Sequence, residues 1–161
     1  MGFIDRVGAA LVAPRRALAA AEGGRGGLPD AVLLLVLKLL CFETQALVVG
    51  LWSFVAVGPG VALRALVAHV STALGTDLVL LVAAGAVVTV LAGRRRNPAR
   101  DFDLGAVAWV PVLAVDTIAS LAARLAGVEV GPTAASVLWL VALGWMGLVL
   151  SLAVETARGR T

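Results

Sequence analysis

The sequence predicts an all-α, polytopic membrane helical bundle, with four transmembrane helices and an N-terminal amphipathic interfacial helix. Three observations lead there. First, 61% of the 161 residues are apolar, only 14% are charged, and mean hydropathy is +1.02. A soluble domain carries roughly 45–50% apolar and about 25% charged residues, and a chain this short leaves much of itself on the surface. Lipid as the outer solvent removes that conflict. Second, four apolar stretches approach or exceed the ~20 residues needed to cross hydrocarbon. Third, the arginines flank those stretches instead of lining one face, as orientation signals do.

The elements follow in chain order within one membrane domain, 1–161. Phe3, Ile4, Val7 and Leu11 fall on one helical face opposite Asp5 and Arg6, and Pro14 can open a second turn ending at Glu22. The segment 2–22 is therefore expected to lie along the cytoplasmic surface, with Arg6 and Arg15 toward anionic headgroups. Pro29-Asp30 starts and Gly58-Pro59-Gly60 stops a first span, 31–57. Residues 61–74, with Arg64, His69, Ser71 and Thr72, are expected as an outer interfacial helix broken off at Gly75. The alternative is that they continue the second span outward. That span, 77–93, is capped by Thr76 or Asp77 and ends at Gly93 before three arginines. The third, 104–126, contains Pro111, Asp116 and Arg124; a proline is tolerated in a membrane helix when neighbours satisfy the freed carbonyl. The fourth, 134–154, follows Pro132-Thr133 and is free of charge.

Orientation comes from the flanks. Arg6, Arg15, Arg16 and Arg25 precede the first span, Arg94, Arg95, Arg96 and Arg100 separate the second and third, and Arg158 and Arg160 follow the fourth. With four spans these regions share a side, predicting a multi-pass protein of the cytoplasmic (inner) membrane with both termini in the cytoplasm.

Several classes are set aside. The net charge of +3 and pI near 10.4 reflect these flanks, so no nucleic-acid partner is expected. The apolar run 7–13 is too short and interrupted for a cleavable signal. Gly2 lacks the Ser or Thr at position 6 that myristoylation requires, since Arg6 stands there. Cys41 is alone, excluding an intrachain disulfide, and is read as a small buried hydrophobe. His69 is the only histidine and is read as an outer polar residue. No metal site, His-based triad, phosphate loop or HExxH motif is present in the sequence, so no enzyme, no cofactor and no catalytic residue is expected. Asp101 and Asp103 are read as neutralising neighbouring arginines.

The informative residues are polar ones within spans: Lys38, Glu43, Gln45, Asp116 and Arg124. Charge at bilayer depth costs at least ~2.5–3.5 kcal/mol and so faces protein or water. Glu43 and Asp116 each fall roughly 18 Å into their spans, near the midplane. Lys38 is expected to pair with Asp116 or Glu43, Gln45 to bond across helices, and Arg124 to snorkel outward. Gly85 among Ala83, Ala84 and Ala86, and the Gly144/Gly147 pair, are expected where helix backbones approach closely. Trp139 is placed near the outer interface and Trp109 near the inner, with Trp52 and Trp145 packed against protein.

Pro14-Arg15-Arg16-Ala17-Leu18 before the first span, and Phe102 a few residues ahead of a span containing Pro111, resemble bacterial Yip1-domain proteins. The resemblance implies a non-enzymatic multispan membrane protein. The function expected is a scaffold or accessory subunit of a membrane assembly, in contact with lipid and with a protein partner or a second copy. The alternative is a transporter or channel component moving protons or ions through Glu43, Asp116 and Lys38.

Overall fold

The computed structural model describes residues 1–93 and 97–159. Arg94, Arg95, Arg96 and Arg160, four of the orientation arginines, lie outside the described residues. Six helices account for the fold: α1 (Phe3–Val12), α2 (Pro14–Glu22), α3 (Leu28–Ala56), α4 (Pro59–Ala92), α5 (Pro98–Ala126) and α6 (Pro132–Ala157). There is no strand among the described residues. Helices α3 to α6 are each long and apolar enough to cross a membrane.

Prolines at the first turns of α2, α5 and α6 start these helices, where a missing N–H costs nothing. The side chain of Asn97 accepts the Ala99 N–H at 3.1 Å to cap α5. Gly58, at φ +99°, reverses the chain between α3 and α4, a conformation that side chains with a Cβ disfavour.

The sequence expectation of a break at Gly75 is corrected. Helix α4 runs unbroken through it, and a Cβ there would meet nothing within 4 Å. Glycine lowers helix propensity by only about 1 kcal/mol, too little to stop an apolar helix already propagating. The 34 residues of α4 span about 51 Å, beyond the ~30 Å of hydrocarbon.

The chain forms two compact units, residues 1–31 with 80–161, and residues 32–79. The first is built on α5. Every residue from Leu104 to Leu113 is buried, including Trp109 and Pro111. Helices α1 and α2 pack on α5 and on each other, and α2 also on α6, with Ala9, Ala10, Ala17, Leu18 and Ala21 buried. Helix α6 adds Ala142 and Met146 to a cluster with Ala84 and Val112. Where α4 crosses α5, a Cβ on Gly105 would stand 2.5 Å from the backbone nitrogen of Gly85, and the Phe102 ring covers Gly85. The close approach expected at Gly85 is real; the one expected at Gly144 and Gly147 is not, since both face open space.

The second unit is a helical hairpin with little packing. Its buried residues are Leu35, Ala62, Leu74 and Asp77. Gly50 faces Leu66 across it. Cys41 is exposed, and Trp52 is 73% exposed. Both were expected inside, but an apolar residue type on a helix surrounded by lipid does not say which face is covered. Trp109, expected near the inner interface, is fully buried among the helices of the first unit.

Candidate functional site

The hairpin of residues 32–79 carries two acid–base pairs. Lys38 Nζ donates to Asp77 Oδ2 at 2.6 Å. His69 Nε2 and Glu43 Oε2 lie 2.7 Å apart, with the proton on either partner depending on tautomer and charge. The hairpin explains both. Reversal at Gly58 sets Lys38 and Asp77 about equally far from the turn, and the continuous α4 carries His69 and Asp77 down one rod past α3.

The two pairs differ in access. The side chains of Lys38 and Asp77 are 16% and 7% exposed, those of His69 and Glu43 41% and 27%. The Glu43–His69 pair stands about 7 Å further along α3 toward Gly58. A carboxylate beside an imidazole can accept and return one proton without breaking the contact. An ammonium–carboxylate pair in low dielectric holds its charges together, because either partner alone would be costly.

Of the five residues singled out in the sequence, Lys38 and Glu43 enter these pairs, but with Asp77 and His69 of α4. Gln45 is exposed on α3. Asp116 is half-buried in the other unit, where it lines a cavity of about 120 Å³ between α5 and α6 with Ser120 and Trp139. The remaining wall is Val112, Val115, Leu138, Ala142 and other apolar residues. Arg124 is exposed, roughly 12 Å further along α5.

The sequence reading missed Asp77 and His69. Dividing the segment at Gly75 makes Asp77 a helix cap and His69 an outer polar residue. The available signal was register: counting outward from Gly58 along two unbroken helices sets Asp77 opposite Lys38.

A second polar cluster joins the N-terminal segment to the starts of α3 and α5. Arg6 forms a two-pronged bridge to Asp30, Nε to Oδ2 and Nη2 to Oδ1, both at 2.7 Å. Its guanidinium is raised above its ordinary value, first by the hydrogen bond to Asp30; burial opposes this, and the charges of Asp30 and Asp5 add to it. Arg6 therefore does not point to headgroups as expected. Asp103 accepts the Leu28 N–H at 2.9 Å, capping α3 instead of neutralising an arginine. Arg100 Nη1 donates to the Ala21 carbonyl at 3.3 Å. Asp101 is buried. At the far end of α6, Arg158 donates through Nε and Nη2 to the Leu91 carbonyl. Among the described residues, no group of three His, Cys, Asp or Glu side chains could hold a metal ion.

No protein-family model, curated protein or solved structure matches the chain. Fold and site together define a class: a multi-pass, all-α membrane protein with acid–base pairs inside a helical hairpin.

Proposed function

We propose that the chain is a small transporter or channel component that moves protons or cations, with Glu43–His69 as its proton-exchanging group and Lys38–Asp77 as the charged pair deeper in the same hairpin. The observation that carries this is the Glu43–His69 contact at 2.7 Å with both side chains part-exposed. Titratable groups within membrane helices are costly and mark ion or proton pathways. With His69 Nε2–H donating to Glu43 Oε2, the imidazole can gain a proton from water at Nδ1 and release it again while that hydrogen bond stays in place. Asp116, beside Ser120, lines a separate cavity between α5 and α6. The reading gives the chain no catalysis of its own.

The scaffold reading is favoured by a different observation. The apolar window of α3 is only 6% buried within the chain, and Val48, Val49, Leu51, Trp52 and Val55 are all exposed. A partner helix or a second copy could cover this face. The resemblance to bacterial Yip1-domain proteins fits that reading.

In either case we place the protein in the cytoplasmic membrane with both termini inside. Cysteine labelling checks this: in a Cys41→Ser background, Glu129→Cys should react with an impermeant reagent outside intact cells and Arg100→Cys should not. The conduction reading is tested in proteoliposomes enclosing a pH dye, with potassium and valinomycin to balance charge. Proton entry should exceed that of protein-free vesicles and be lost in Glu43→Gln and His69→Gln. Wild-type entry equal to that of empty vesicles would overturn the reading and leave the scaffold.

A further inference from the structure

We infer that α1 and α2 form a platform seated in the membrane interface that selects anionic phospholipid, with Ile4 and Val12 among acyl chains and Arg15, Arg16 and Arg25 against headgroup phosphates. Helix α1 is apolar on two faces. One face is spent on the protein: Ala9 and Ala10 are buried against the core, and Phe3, Val7 and Leu11 are half-buried. The other presents Ile4, Gly8 and Val12 at helical spacing of four, with Ile4 81% and Val12 86% exposed. A helix in water has no reason to display such a stripe, whereas one lying between protein and lipid does.

The charges are sorted accordingly. Arg6, on the protein-facing side, is held by Asp30. Asp5, near the edge of the outward stripe, accepts the Gly2 N–H at 3.0 Å. Immediately beyond the Ala13–Pro14 junction, Arg15 and Arg16 are exposed, and so is Arg25 in the loop after α2. Exposed cations next to an outward apolar stripe complement one surface chemistry, acyl chains bordered by anionic headgroups. The platform is rigid toward the rest of its unit, because Ala17, Leu18 and Ala21 are buried and Arg100 grips the end of α2. This inference does not depend on proton movement.

The test uses the full chain in non-ionic detergent. Equal amounts of phosphatidylglycerol and phosphatidylcholine are added, and retained lipid is counted by native mass spectrometry. Phosphatidylglycerol should be retained preferentially, and Arg15→Gln/Arg16→Gln should reduce that preference by up to roughly thirtyfold, given the strength of surface attraction per basic residue. Equal retention of the two lipids, or an unchanged preference in the double variant, would overturn the inference. Spin labels at Ile4→Cys or Val12→Cys in a Cys41→Ser background provide a readout that leaves the arginines intact. In phosphatidylglycerol nanodiscs they should be relaxed more by dissolved oxygen than by an aqueous nickel chelate. The reverse order would place α1 in water and also overturn the inference.

Discussion

Helices α3 and α5 are both 29 residues long and both suited to a bilayer, yet 6% of the apolar window of α3 is buried within the chain and 44% of that of α5. In α5, ten consecutive residues from Leu104 to Leu113 are enclosed by α1, α2, α6 and the Gly85 face of α4. In α3, the contacts that identify its neighbour are polar: Lys38 to Asp77 and Glu43 to His69. Without a hydrophobic driving force between helices in lipid, association rests on close packing or on polar contacts. The first unit combines close packing with polar contacts, and the second relies mainly on its two polar pairs. The well-packed unit encloses its central helix, and the loosely packed one leaves Glu43 and His69 part-exposed.

Deleting the centre of the packed helix should have the largest effect. Trp109→Ala should lower stability by about 3–5 kcal/mol, measured by unfolding of the reconstituted protein. Trp52→Ala, on an exposed face, should stay within about 0.5 kcal/mol. Similar losses at both would erase the contrast between α3 and α5.

Gly105→Ala sharpens the steric side. Its Cβ would meet the backbone of Gly85, which has no side chain to move aside, so a loss of about 1–3 kcal/mol is expected. Gly144→Ala, in open space, should be neutral or slightly stabilising by the same measurement.

The polar side is probed by Lys38→Met. Removing one partner of the pair should cost about 1–2 kcal/mol, and Lys38→Met/Asp77→Leu should recover part of it, because no charge is left alone. Losses that simply add in the double variant would show that the two are not coupled.

The smallest effect concerns pH. The Arg6 guanidinium is raised above its ordinary value by its bond to Asp30, so its contribution is complete below the unfolded value and is lost only as pH rises through the folded one. Hydrogen exchange in residues 3–12, corrected for intrinsic rate, should therefore give the same protection from about pH 7 to about pH 9. A fall in protection over that range would mean the Arg6–Asp30 bridge does not hold α1.

Much of this architecture was legible in the sequence. Hydropathy and the punctuation at Pro14, Gly58, Pro98 and Pro132 give the helices, because length and backbone chemistry are local properties. The spacing of Phe3, Ile4, Val7 and Leu11 gives α1, although Ile4 turns outward and is 81% exposed, and the small residues around Gly85 give a genuine close contact. The site was half legible. Lys38 and Glu43 stood out because charge inside an apolar stretch demands a partner. The partners depend on hairpin register, which required α4 to be read as one helix through Gly75. Trp52 is exposed against expectation, because residue type sets how well a side chain suits burial, while the neighbouring helix sets whether it is covered. Gly144 and Gly147 show the same limit: small residues permit close approach without specifying a partner.

The account turns on whether Glu43 and His69 exchange a proton with water. Infrared difference spectroscopy of the protein in nanodiscs, stepped from alkaline to acidic buffer, reads this directly through the carboxyl C=O stretch and the imidazole ring modes. The account predicts a reversible signal from protonation of this pair that disappears in Glu43→Gln and changes in His69→Gln, while Gln45→Leu leaves it intact. A difference spectrum identical in wild type and Glu43→Gln would contradict it.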